Sequence, residues 1–284
     1  MKNSRLIAQI GLIFVTIIWG VTFVLVKEAL KDAPPFSFAA FRFGLATILT
    51  ILLIHRKLFQ LNKIELIGGV ICGFFLFSGY AFQNFGLIHT TASKSAFITS
   101  VSVLMVPFLL ILFKIQTVST RIWTAVFLAT VGLYLLLISP GENGLNQGDI
   151  LTFGCAISFA IHIIMQDIYI KKEVRLLHFF CVQSGFVTLF SLLNAQIVES
   201  TPIIWSDQLY IAIIITGVLG TFAAFLIMIW AQKILNPSET AIIFSIEPLA
   251  AAVFATMLGG EILGIWGWMG GIVVCLAVIY GESG

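Results

Sequence analysis

Ten runs of apolar residues fill this chain, each near the length of about 20 residues that a helix needs to cross a hydrocarbon core of about 30 Å. They cover residues 6–28, 36–54, 64–88, 92–113, 120–139, 148–170, 174–197, 208–232, 237–258 and 264–281. Where water cannot reach the backbone, every N–H and C=O must be satisfied within its own segment, so such runs fold as helices. The expected fold class is an all-α integral membrane protein with ten transmembrane helices. Of 284 residues, 60% are hydrophobic and 10% charged, with a mean hydropathy of +1.09, which leaves no room for a soluble domain. Lys2 and Arg5 precede the first run as in a secretory leader, but that run is far longer than a leader's apolar core and reads as a retained helix.

Several function classes drop away. A net charge of +2 is too small to imply a nucleic-acid partner. Cys72, Cys155, Cys181 and Cys275 all fall inside apolar runs, lack metal or redox spacing and read as packing residues, so neither a metal nor a cofactor is expected. No GxxxxGK[ST] segment is present and the loops are too short for an ATP-binding domain, so energy for any transport comes from gradients of solute or protons. An intramembrane enzyme would need a nucleophile, base or metal set within reach. The histidines here are scattered singly and no span pairs them with acids.

Orientation follows from the basic residues. Lys2, Arg5, Arg56, Lys57, Lys63, Lys114, Arg121, Lys171, Lys172, Arg175 and Lys233 fall on one side of the membrane, against Lys27, Lys31 and Lys94 on the other. The richer side is the cytoplasmic one, and both termini lie there.

The sequence also repeats. Shifted by 145 residues, FGLIHTTASKSA at 85–96 lies over WAQKILNPSETA at 230–241, and Ser100 meets Ser245, Ser102 meets Glu247, Gln116 meets Glu261 and Trp123 meets Trp268. A shift of 140 or 141 serves the earlier helices, placing Trp19 and Gly20 over Phe159 and Ala160 and FRFG at 41–44 over VQSG at 182–185. Two five-helix repeats result, 1–140 and 147–284. An odd number of helices makes the second copy enter from the opposite side, so the repeats are inverted, as in many secondary transporters whose substrate sits near the midplane between the copies. The bland alternative is a duplicated structural bundle. Thr91 and Asn236 suit the N-cap of the fourth helix in each half, with Pro237 and Glu239 in the positions of a helix start and a capping box.

Glu247 is the most costly residue in the chain. A carboxylate at a helix centre costs roughly 2.5–3.5 kcal/mol on insertion scales, so it faces a partner or a wet cavity. Thr240, Phe244, Glu247 and Ala251 share one helix face, and Ser95, Thr99 and Ser102 share the matching face of the fourth helix. Such stripes line a solute path or, alternatively, satisfy backbone carbonyls. Pro248 predicts a bend near Phe244, and Pro107 predicts one at a different depth in the fourth helix, which argues against symmetric motion. Arg42 lies about two turns inside the second helix and pairs with an internal acid such as Glu247 or with carbonyls. Tyr80 and Asn84 share a face, as do His162 and Gln166; His162 opens a proton-coupled step or is a satisfied packing residue. Trp19, Phe23, Phe85, Trp230 and Phe244 are candidates to stack on a solute, whereas Trp205, Trp266 and Trp268 suit the interfacial belt. Gly69 with Gly73, and Gly267 with Gly271, allow close helix contact, within the bundle or in a homodimer.

WGVTF at 19–23, FGLIHTTASKSAFITS at 85–100 and SIEPLAAAVFATMLGGE at 245–261, followed by a glycine-rich last helix, resemble the EamA-type members of the drug/metabolite transporter superfamily. The resemblance implies a multi-pass carrier of the bacterial cytoplasmic (inner) membrane, commonly an exporter of amino acids or related metabolites. It also implies a cavity between helices 1, 3, 4, 6, 8 and 9, with helices 5 and 10 peripheral. The expected partners are a small-molecule substrate and the lipid bilayer. The expected function is a secondary transporter exposing a midplane site alternately to the two sides, with a membrane channel or regulatory scaffold as the alternative.

Overall fold

The computed structural model describes residues 2–55, 60–137, 146–260, 262 and 264–282, which are helical with no strand among them. Arg56, Lys57 and Glu261, used in the charge and repeat arguments, lie outside the described residues, as does most of the expected junction between repeats. The helices are α1 (Lys2–Ala29), α2 (Pro35–Ile54), α3 (Lys63–His89), α4 (Ala92–Thr99), α5 (Ser102–Leu112), α6 (Thr120–Leu137) and α7 (Gln147–Ile170). They continue as α8 (Leu176–Val198), α9 (Asp207–Ile214), α10 (Ala224–Ala231), α11 (Pro237–Phe244), α12 (Glu247–Leu258) and α13 (Ile265–Glu282), with a π-helical segment, Ile215–Ala223, between α9 and α10.

Among the described residues, 8 helical stretches are long and apolar enough to cross a membrane, counting α4 with α5, α9 with α10 and α11 with α12 as one stretch each. The apolar helices α6 and α13 are shorter. Outward-facing residues such as Phe127, Ile197, Ile262 and Leu276 are exposed, the arrangement expected where lipid is the solvent.

Helix starts follow side-chain chemistry. Asn62 with Glu65, Asn146 with Asp149 and Asn236 with Glu239 form capping boxes at α3, α7 and α11, and Thr91 accepts from the Lys94 N–H at α4. Thr91, Asn236, Pro237 and Glu239 thus sit where the sequence placed them. Asn236→Ala removes one such cap and should cost about 1 kcal/mol. A lowered melting temperature in detergent checks this.

The α4–α5 stretch breaks at Ser100–Val101 and the α11–α12 stretch at Ser245–Ile246, positions that coincide under the 145-residue shift. At each break the chain tightens: Ser100 N–H bonds Phe97 O, Val101 N–H bonds Ile98 O, Ser245 N–H bonds Ile242 O and Ile246 N–H bonds Ile243 O. The serine hydroxyls add to it, Ser100 Oγ donating to Ala96 O at 3.0 Å and Ser245 Oγ to Ile242 O at 2.6 Å. The expected difference in bend depth is therefore corrected. Pro107 sits inside α5 well beyond the break, and Pro248 occupies the first turn of α12, where no intrahelical N–H bond is required.

Small residues are spent on internal packing. A Cβ at Gly69 would lie 2.5 Å from Val182 Cβ, one at Gly73 2.8 Å from Phe186 Cβ, and one at Gly271 2.4 Å from Leu249 Cδ1. Gly267 is buried as well. Helices α6 and α13 pack on one another at the periphery, with Gly132 against the Gly270 carbonyl.

Candidate functional site

The α4–α5 and α11–α12 breaks face a common cavity. Six spans line it: Trp19, Thr22 and Phe23 of α1, Leu76, Tyr80 and Gln83 of α3, and Thr99, Ser100 and Ser102 at the α4–α5 break. Phe159, His162 and Ile163 of α7, Phe225 and Met228 of α10, and Phe244 and Glu247 at the α11–α12 break complete it. The cavity volume is about 40 Å³. At about 10–15 Å³ per water this is room for a few waters only, so a metabolite enters only if the spans part.

The lining falls into pairs one repeat apart. Trp19 pairs with Phe159, Thr22 with His162 and Phe23 with Ile163 at the 140-residue shift; Tyr80 pairs with Phe225, Gln83 with Met228, Thr99 with Phe244 and Ser102 with Glu247 at the 145-residue shift. At least one member of most pairs stands out in the sequence, whereas Thr22, Gln83, Phe159, Ile163, Phe225 and Met228 do not. For Thr22, Phe159, Ile163 and Phe225 the repeat supplies a signal, because each stands opposite a residue that the sequence singles out, but Gln83 and Met228 stand only opposite one another.

The walls are aromatic. The Trp19 ring lies 5.0 Å from Phe244 and 5.5 Å from Phe225, and Tyr80 lies 5.3 Å from Phe159. Trp19 Nε1 donates to Gly220 O at 2.8 Å. That carbonyl belongs to the π-helical segment, where Thr221 Oγ1 also donates back to Thr216 O at 2.8 Å. Gly220 O thus accepts from outside its own helix.

Arg42 uses the same segment. Its Nε donates to Thr221 Oγ1 at 2.7 Å, and its Nη2 donates to Gly220 O and to the Tyr80 hydroxyl, each at 3.2 Å. The guanidinium also lies 4.6 Å from the Tyr80 ring centre. Of the two partners expected for Arg42, backbone and hydroxyl oxygens are what it contacts. Glu247 is in none of the ion pairs among the described residues, although Arg42 is near enough to act on it electrostatically. Within the lining, Glu247 is the one carboxylate, and no lysine or arginine accompanies it among the described residues.

Other candidates are placed differently. His162 Nε2 and Gln183 Oε1 are 3.0 Å apart, and Gln183 Nε2 continues to Gln166 Oε1 at 3.3 Å. Gln166 Nε2 then donates to Gln232 Oε1 at 2.6 Å. His162 is thus held by a chain of amides reaching away from the cavity, in which Gln166 is the residue the sequence put on the same helix face and Gln183 and Gln232 are added by the fold. Asn84 lies outside the lining, its Nδ2 donating to Pro35 O at 3.2 Å. Trp230 packs against the core and does not line the cavity. Ser95 and Thr240 are buried outside the lining, their hydroxyls without a hydrogen-bond partner among the described residues, so the polar stripes reach the cavity only at the breaks.

Comparison with known proteins gives a consistent result. The profile of the EamA-like transporter family matches the chain twice, over residues 6–138 and 146–280. An uncharacterized transporter of Archaeoglobus fulgidus is 33% identical over 277 residues, 97% of this chain and 86% of the relative. The uncharacterized transporter YoaV of Bacillus subtilis is 24% identical over 280 residues, 95% of this chain and 94% of the relative. A crystal structure of another protein, 13% identical, has the same fold, with a TM-score of 0.78 over 99% of this chain and 96% of that one.

Proposed function

Because the chain belongs to the EamA-like transporter family, we propose that it is a secondary transporter that carries a small amphipathic metabolite, such as an amino acid, by exposing one midplane site alternately to the two sides. The observation that carries this reading is the paired lining: each half contributes matching positions to a single cavity, at matching breaks in its fourth helix. Two inverted five-helix repeats in a ten-helix bundle account for that pairing, with α6 and α13 as the fifth helix of each half. Aromatic walls offer area to an apolar group, and Glu247, the hydroxyls of Thr99 and Ser102 and the Gln83 amide offer hydrogen bonds to a polar one. Outward transport across a bacterial cytoplasmic membrane, with both termini inside, is the direction and setting proposed. His162 and Glu247 are the groups through which protons would couple to it.

Counterflow in proteoliposomes tests the reading. A carrier loaded with unlabelled solute accelerates uptake of the same labelled solute, whereas a channel or scaffold does not. Trans-acceleration by at least one member of an amino-acid and amine panel is the expected result; its absence across the panel, with correctly inserted protein, removes the carrier reading.

A further inference from the structure

We propose that the ion pairs Lys94–Asp149 and Arg5–Glu239 are the two gate latches of the transport cycle, one closing each end of the cavity; the proposal rests on the carrier reading above. Lys94 Nζ lies 2.9 Å from Asp149 Oδ2, and the Arg5 guanidinium meets the Glu239 carboxylate directly. Lys94 and Glu239 hold the same place in the two halves. Each is the third residue of its short helix, α4 or α11, three after the cap residue Thr91 or Asn236. Each reaches the opening of the other half's first helix, Lys94 to the third residue of α7 and Glu239 to Arg5 near the start of α1. The contact is repeated while the charges are exchanged.

The two pairs stand at opposite ends of the bundle. Arg5 is near the start of α1, and near its end Lys27 donates to the carbonyls of Leu87 and Thr90, beside α4. At about 1.5 Å per residue, Arg5 and Lys27 are about 33 Å apart along α1, a membrane's hydrocarbon thickness. The cavity lies between them. Helices α4 and α11 are 8 residues each, tied by an ion pair at one end and ending at a tightened break that lines the cavity at the other. Release of one latch therefore frees one lever to swing about its own break. Both latches are closed here, in keeping with a cavity that holds only a few waters.

The latches differ in strength. The Lys94 and Asp149 side chains are 10% and 0% exposed, those of Arg5 and Glu239 40% and 11%. Attraction is greater where water is excluded, and separating the buried pair strands a charge. Lys94 also sits in the first turn of a helix, where a cation opposes the dipole and needs Asp149 beside it, while Glu239 suits its helix start. The Arg5–Glu239 end is therefore the one that opens more readily at rest.

The test changes the cations, because Asp149 and Glu239 also complete capping boxes. Ser102→Cys reports on the cavity: the full chain in right-side-out and in inside-out vesicles is treated with a membrane-impermeant maleimide, and labelled cysteines are identified by peptide mass spectrometry. Lys94→Gln should raise labelling of position 102 from the Lys94 side at least roughly tenfold, and Arg5→Gln should do so from the opposite side, as loss of a partly desolvated charge pair predicts. Lys94→Arg and Arg5→Lys, which keep the charge, should restore protection. Buried Cys72 reads general loosening. Labelling without side preference, labelling of Cys72 in parallel, or no rescue by the conservative variants overturns the proposal. Side-specific labelling in a chain that shows no counterflow supports the latches and removes only the carrier reading.

Discussion

Glu247→Gln slows solute exchange at least about tenfold at neutral pH, equivalent to about 1.4 kcal/mol on the transport barrier. The substitution keeps shape and one acceptor oxygen and removes the group's capacity to take up and release a proton, in a cavity whose lining has no other carboxylate among the described residues. Arg42 keeps its partners in the variant, because Thr221 Oγ1, the Tyr80 hydroxyl and Gly220 O hold it and Glu247 does not. A change confined to binding would appear as a higher half-saturation concentration at an unchanged maximal rate, and one in the moving parts as a lower maximal rate. Membrane insertion and the detergent melting temperature stay close to those of the parent chain, because no hydrogen-bonded ion pair is broken. Exchange that is unchanged at every pH would make Glu247 a structural residue.

Gly20→Val should destabilise the bundle by about 2–3 kcal/mol, the range for overpacking a core. A Cβ at Gly20 would stand 2.5 Å from Ala250 Cβ and 2.8 Å from the Ala251 backbone nitrogen, so relief requires α1 and α12 to move apart as whole helices. The contact adjoins Trp19 and Glu247, and the cavity should open along with it. A fall of roughly 5–10 °C in melting temperature is expected from about 2–4 °C per kcal/mol in a chain of this size class. Gly185→Ala is the control, since its Cβ would meet Thr47 Cγ2 at an ordinary 3.8 Å. Equal melting temperatures for the two variants would show that the α1–α12 crossing tolerates separation.

Much of the cavity was legible because its parts recur. Glu247 stood out through its cost in an apolar run, Ser102 through the shift that aligns it with Glu247, Trp19 as an aromatic able to stack on a solute, and Tyr80 through the helix face it shares with Asn84. The helix starts at Thr91 and Asn236 were legible for a local reason: a cap depends on a few consecutive residues. Arg42 was visible as a buried charge, but its partners were not. Two of them, Gly220 O and Thr221 Oγ1, belong to a π-helical segment, and nothing in ITGVLGTFA announces that winding. The bend assigned to Pro107 missed because local breakage in these spans follows the serines at 100 and 245, where hydroxyl and backbone share one carbonyl turn.

By itself the sequence determined the solvent, the helices and the duplication, since span length, capping and repeat spacing are properties of neighbouring or aligned residues. Tertiary structure alone decided which polar residues meet. Asn84 and Trp230 have the right chemistry and face away from the cavity, while Gln83 and Phe225 face into it. It also decided that Lys94 meets Asp149 and that Glu239 meets Arg5, contacts between residues 55 and 234 positions apart in the chain. Helical periodicity sets a side chain's direction about its own axis, but the rotation and depth of each helix against its neighbours come from packing such as the close approach at Gly20, and no local pattern encodes that.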